Sequence, residues 1–380
     1  MRNTVQQTPD VNAGEGAGGI VDFRRATVER AEILPAETNA MTAVAQRIER
    51  TVEGSGYVFG IMLDLQAVTA ANVAAVAFLE DAPWSALDTV VYRDVNGELI
   101  NLSGFELFLA NLGGKQYAGR FLDGSALFRT VPGAAATGGS FDALLRVPVA
   151  LNRRSLAGLV GNQDASQKYS LRTDLAASGQ IYGTAPTNLP GAGGNGSYTL
   201  NKQYENYAVP LKQGPDGQAQ ERAPRDFGLL HYLTSIQSAE TPAPSSTVGH
   251  FLKRVGLSIR FVCFVFRAGV GATPRAVAQA NAPTNLRLKI GDAVLFNEPY
   301  RYRRALMFER YGFDWPDGVI IYDAIHDFLA GAGSEVGDDY YQTQGLVNSQ
   351  LQVAYPAGFT AGGSLRILTD DLAFVAPVAA

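Results

Sequence analysis

Residues 87–112, LDTVVYRDVNGELINLSGFELFLANL, spell out a strand, a tight turn, a second strand and a helix. Asn96-Gly97 is the dipeptide that tolerates positive φ at both central positions of a type I′ turn, and β-rich residues flank it: Val90, Val91 and Tyr92 before, Leu99 and Ile100 after. A hairpin is predicted. Ser103 stands three residues before Glu106, so its hydroxyl can cap a helix while the glutamate reaches back. Phe105, Phe108, Leu109 and Leu112 follow at helical spacing.

The same order returns at residues 285–311, NLRLKIGDAVLFNEPYRYRRALMFERY. Leu286, Leu288 and Ile290 alternate before a Gly291-Asp292 turn, residues 293–296 form the return strand, and Asn297 is the expected N-cap with Pro299 in the first turn. The turns lie 195 positions apart (291 − 96) and the caps 194 (297 − 103), about half of the 380 residues. That spacing predicts duplication of a whole domain rather than a short solenoid repeat.

A chain of 380 residues can hold two domains, each with its own core. With 46% apolar and 18% charged residues the composition is that of a folded globular protein. A net charge of −5 offers no general attraction to nucleic acid or anionic lipid, so direct nucleic-acid binding is not expected. Cys263, the sole cysteine, sits in the apolar run 261–266, where a buried inert thiol is expected and no intrachain disulfide can form. No apolar leader opens the chain and no run is long enough to span a bilayer, so a soluble protein without a secretion signal is expected.

Residues 1–43 are expected to be an N-terminal arm, Gly-rich at its start. Residues 1–50 carry six basic and seven acidic side chains, which fits neither a nucleic-acid arm nor a polybasic lipid anchor. The first domain is placed at 44–211, opening with the alternating strand 57–65; 72–79 is a further strand candidate, and 144–151 is a strand whose Pro148 implies an edge or bulge. Residues 212–247 read as a linker, with breakers at 212–227 and 241–246 around a short helical pattern at 229–236. The second domain, 248–380, begins with a strand at 255–266 and continues with strands at 319–322, 350–355 and 364–368. Many short strands, few short helices and two similar halves predict an all-β protein of two sandwiches or barrels.

Motifs for catalysis are missing from the sequence. His231, His250 and His326 stand alone, without the spacing that places two imidazoles on one metal, and there is no nucleophile elbow or P-loop. Asp338-Asp339 and Asp370-Asp371 are adjacent carboxylates of the kind that contribute to calcium sites but are more often merely solvated. No cofactor, metal or catalytic residue is assigned. In the run 300–304 aromatic and basic side chains alternate, as they do in phosphate sites; on an amphipathic helix Arg301, Arg303 and Arg304 are instead candidate contacts between subunits.

Three segments resemble the double jelly-roll major capsid proteins, and within them the coat proteins of tectiviruses, tailless icosahedral phages with an internal membrane. VVYRDVNGELINLSGFELFLAN (90–111) resembles the family's first-barrel hairpin and helix, VPVALNRRSLAGLVGNQDASQKYSL (147–171) its strand, polar turn and Gln-Lys strand, and RRALMFERYGFDWPDGVIIYD (303–323) its basic helix and Pro-x-Gly-Val strand. The order of the three matches from about residue 44 onward, whereas the arm is Gly-rich and charge-balanced where the family carries a Gln-rich helix. The resemblance implies two tandem eight-stranded jelly rolls and a non-enzymatic homotrimer of pseudo-hexagonal outline in the virion. Its partners would be neighbouring capsomers, penton and minor capsid proteins, with the arm near the internal membrane. A carbohydrate- or receptor-binding spike and a tandem jelly-roll glycan hydrolase are the alternatives.

Overall fold

The computed structural model describes residues 28–52, 56–69, 75–114, 128–134, 137–151, 158–162, 169–186, 197–208, 212–213, 219–220, 229–238, 243–252, 257–267, 275, 282–324, 341–343, 346, 349–359 and 363–374. Sixteen strands within them make two eight-stranded jelly rolls. The first comprises β1 (Val28–Ile33), β2 (Gln46–Thr51), β3 (Gly56–Val68), β4 (Leu87–Arg93), β5 (Glu98–Leu102), β6 (Phe141–Val147), β7 (Ser170–Leu175) and β8 (Ser197–Ala208). The second comprises β9 (Leu229–Ser238), β10 (Thr247–Phe251), β11 (Ser258–Arg267), β12 (Asn285–Ile290), β13 (Ala293–Pro299), β14 (Val319–Asp323), β15 (Gln350–Ala354) and β16 (Ser364–Phe374). Helix α1 (Gly104–Gly113) follows β5, and α2 (Tyr300–Tyr311) follows β13.

Strand order is the same in both halves. In the first, β1-β8-β3-β6 forms one sheet and β2-β7-β4-β5 the other; in the second, β9-β16-β11-β14 and β10-β15-β12-β13 repeat the pattern. Each strand of the first barrel thus has its counterpart eight strands later. The halves are joined by a parallel pairing of β5 with β9, Ile100 opposite Leu233 and Asn101 opposite Thr234, which fuses two four-stranded sheets into one.

Alternation creates the core. In β3, Ile61, Leu63 and Leu65 are buried while Met62, Asp64 and Gln66 are half-exposed, and each fully buried aliphatic chain of this size contributes about 1.5–3 kcal/mol. In β11 all ten residues are buried, as expected of a strand covered on both faces, and Cys263 is among them. Burial pushes its thiol well above the ordinary range.

Several local expectations are corrected. The 94–97 turn is a hairpin turn, but not type I′: Asn96 stays out of the left-handed region, and the Asp94 carboxylate accepts from the backbone N–H groups of Asn96 (2.7 Å) and Gly97 (2.8 Å) instead. Asn297 is not a cap. It lies in β13, where its side chain accepts from Asn285 at 2.9 Å, and α2 begins after Pro299. Strand β6 ends at Val147, so Pro148 terminates the strand and makes no bulge in it. Residues 229–236 are not helical: they form β9, paired with β16 along ten residues inside the stretch read as a linker. Residues 28–33 and 37–40, inside the stretch read as an arm, are strands paired with β8. Of the candidate strand at 72–79, residues 72–74 lie outside the described residues and Ala77–Phe78 form a two-residue strand.

The start of α1 is the tightest point of the first barrel, because a Cβ on Gly104 would run into the Trp84 carbonyl oxygen and the Leu87 side chain. Substitution Gly104→Ala is therefore expected to destabilise the protein by about 1–3 kcal/mol, read as a lowered unfolding midpoint in denaturant.

Candidate functional site

Buried polar and charged side chains gather at the seam between the barrels, and α1 runs through it. Ser103 caps the helix and Glu106 returns to the Ser103 N–H at 2.8 Å, a complete capping box. All ten residues of α1 are buried. A helix buried on every side needs cover on every side, and it comes from β4, β5 and β6 of its own barrel and from β16 of the second.

Glu106 ties the two halves together. Its carboxylate accepts from the Ser235 hydroxyl of β9 at 2.9 Å and from Arg366 of β16 at 3.0 Å, while also holding the Ser103 cap. At the far end of α1, a Cβ on Gly113 would sit 2.9 Å from Ile321 and 3.3 Å from Phe261, so glycine lets β14 and β11 approach closely. Arg260 of β11 donates to the Gly114 carbonyl at 3.2 Å. Asn111 and the backbone of Arg146 exchange two hydrogen bonds, 2.8 and 2.9 Å, fixing α1 to β6.

Two ionic clusters flank the helix. At one, Asp370 on β16 accepts from Arg260 (2.9 Å) and from His231 Nε2 (3.0 Å), while His231 Nδ1 lies 2.8 Å from the Pro148 carbonyl of the first barrel. Burial alone would raise the Asp370 carboxyl, but His231 and Arg260 beside it hold it below the usual carboxylate range. At the other, Asp81 pairs with Arg267 (2.5 Å) and Arg275 (3.2 Å), and both guanidinium groups lie over the Phe105 ring at 5.7 and 5.0 Å. Sequence reasoning gave Glu106 only its cap and read Asp370-Asp371 as calcium-type or merely solvated carboxylates, whereas both are buried on β16; the pattern of residues around each carries no local sign of the cross-barrel partner.

Helix α2 is placed as α1 is, but one face of it is open. Tyr302, Leu306 and Phe308 are 67%, 46% and 56% exposed, and Arg301 lies on the solvent side with them. Of the three arginines expected to reach a neighbouring subunit, two are engaged inside the chain. Arg303 donates to the Ile321 carbonyl at 2.9 Å and lies 4.6 Å over the Phe296 ring; Arg304 donates to the carbonyls of Pro316, Val319 and Trp315 and pairs with Asp314 at 2.8 Å.

Among the described residues no three His, Cys, Asp or Glu side chains converge as metal ligands, and no helix is long and apolar enough to cross a membrane. His250 meets the Tyr355 hydroxyl at 3.1 Å, while His326 and Asp338-Asp339 lie outside the described residues.

Two jelly rolls of matching strand order, fused edge to edge and locked by a buried helix, define a double jelly-roll fold. No protein-family model matches the sequence, and no curated protein is similar to it. Similar solved structures are viral coat proteins: the major capsid protein of Sulfolobus Turreted Icosahedral Virus (15% identity, 91% of this chain and 97% of that one, TM-score 0.62), the PBCV-1 virus capsid (12%, 93% and 96%, 0.61) and the major capsid protein P2 of bacteriophage PM2 (11%, 93% and 100%, 0.53). At these identities the likeness is one of fold, and it extends over both barrels.

The buried Asp370 cluster makes a pH-dependent contribution. A carboxyl held below its unfolded value of about 3.9 stabilises the fold above that pH, and the contribution is lost as pH falls through the folded value. Asp370→Asn removes the carboxylate that Arg260 and His231 meet at 2.9 and 3.0 Å and is expected to cost about 3–5 kcal/mol at neutral pH. The loss should shrink below pH 4, as measured by unfolding midpoints across a pH series.

Proposed function

We propose that this chain is the major coat protein of an icosahedral virus, and that its work is assembly rather than catalysis. The observation that carries the reading is the internal duplication: two barrels of the same strand order, joined edge to edge, in a fold shared over more than nine-tenths of each chain with viral coat proteins. Three copies of such a chain present six similar barrels, a pseudo-hexagonal block able to tile a facet with other copies, pentons and minor capsid proteins.

The finer reading is of a virion with an internal membrane, resembling the tectiviruses. A net charge of −5 supports a shell that lies over lipid and not on nucleic acid. In this reading the part of the N-terminal arm ahead of β1 faces inward toward that membrane, and Arg301 is the member of the arginine trio left to meet a neighbouring subunit.

Light scattering of the purified protein is expected to give three times 40.5 kDa, about 120 kDa, with hexagonal outlines in negative stain. A monomer would sink the coat reading. Deleting residues 1–20 should leave the trimer intact and impair shell assembly; normal particles from that truncation would remove the arm from the reading.

A further inference from the structure

The duplication lets one junction predict another. The hairpins superpose at a constant offset: Val90 faces Leu102 and Leu286 faces Glu298, each 196 positions on (286 − 90; 298 − 102), and the helices begin at Gly104 and Tyr300 with the same offset. Ile100, Asn101, Glu106 and Leu112 therefore correspond to Phe296, Asn297, Tyr302 and Phe308. On the other side of the joint, β-bulges set the alignment. The register of β3 on β8 shifts between Val58 and Gly60, with Gly60 opposite Glu205; that of β11 on β16 shifts between Ile259 and Phe261, with Phe261 opposite Asp370. Glu205 thus matches Asp370. Ala31 pairs with the first and Leu233 with the second, so Ala31, Glu32 and Ile33 correspond to Leu233, Thr234 and Ser235.

Within the chain, β5 and β9 are the strands that meet. Their counterparts, β13 and β1, are each the last strand of a sheet among the described residues. Among the described residues the contact that covers α1 has no counterpart over α2: Leu112 is 5% exposed, its equivalent Phe308 is 56% exposed, and Ile33 at 76% and Tyr302 at 67% are among the most exposed large apolar side chains. Ile33 and Tyr302 stand where Ser235 and Glu106 stand at the inner joint, in hydrogen bond.

We propose that β13 of one copy pairs in parallel with β1 of a second copy, Phe296 opposite Ala31 and Asn297 opposite Glu32, with Tyr302 and Phe308 of α2 buried against β1 and its flank at Ile33. The proposal rests on the coat-protein reading and names the contact that builds the ring. The joint inside the chain is locked by buried charge, and the one between chains is closed by apolar burial, which asks no desolvation of an ion pair from partners that fold first and meet later. Edge strands with exposed apolar side chains are an aggregation hazard unless something covers them, and a second copy does so here. The contact is head-to-tail, so it closes into a ring when the rotation allows, and three copies place all six barrels in equivalent positions.

The test is a disulfide between the paired edges. Neighbouring strands lie about 4.8 Å apart, inside the Cα separation of about 4.4–6.8 Å that a disulfide spans, and Cys263 is buried out of the way. In the double variant Glu32→Cys/Asn297→Cys, oxidation is expected to give covalent dimers and trimers on a non-reducing gel, and either single variant should give neither. A double variant that is trimeric by light scattering yet uncrosslinked overturns the inference and leaves the coat reading standing. A native protein that is monomeric by light scattering overturns both. Independently, Tyr302→Asp is expected to keep the native unfolding midpoint and weaken association by roughly thirtyfold or more, the size of an interface hot spot. Val44→Asp, at another exposed apolar position, should leave association unchanged; equal association of Tyr302→Asp and the native chain also overturns the inference.

Discussion

The parallel contact between β5 and β9 is short, two facing pairs, and cannot by itself hold two barrels in line. The helix beside it does that work. Once α1 is buried between the halves, Glu106 must find its partners on both sides, and Ser103, Ser235 and Arg366 supply them. A buried carboxylate with four donors from three residues is costly to disturb, so the arrangement rewards one relative placement of the barrels and penalises the others. The rest of the seam follows from that placement: the Arg260–Asp370–His231 cluster on one side, the Asp81–Arg267–Arg275 cluster on the other, and the glycines that let backbone and side chains come close.

This makes the two barrels one body, and it explains why the halves diverged where they did. Glu106 is buried against partners in the same chain, and the equivalent Tyr302 is an exposed aromatic. Position 112 is a buried leucine, and its equivalent is an exposed phenylalanine. The second half keeps the geometry of the joint while its surface chemistry changes from charged to apolar.

Local structure was legible where local interactions decide it. The hairpin and helix at 87–112 and the hairpin of their return at 285–299 were readable because alternation and a glycine turn, and at α1 a capping box, act within a few residues. Where two local solutions compete, the reading failed. Asp94 could build the turn as an Asx turn, which removed the need for positive φ at Asn96. LLHYLTSI at 229–236 satisfies both a helical and an alternating pattern, and ten residues of pairing with β16, about 135 positions away, chose the strand. The seam was the least legible part. Neither Glu106 nor Asp370 announces a partner more than a hundred residues distant, and Arg303 and Arg304 look like free surface charge until the carbonyls of residues 315–321 turn toward them.

The central claim is that the barrels of one chain form a single rigid block and that such blocks build a shell. Electron cryomicroscopy of assembled particles tests it most directly. The account predicts capsomers of six upright barrels in which each chain contributes two neighbours joined through α1, with the sheet running on unbroken from β2 to β14. Capsomers whose two barrels from one chain are separated, or joined through loops with α1 open to solvent, would contradict it.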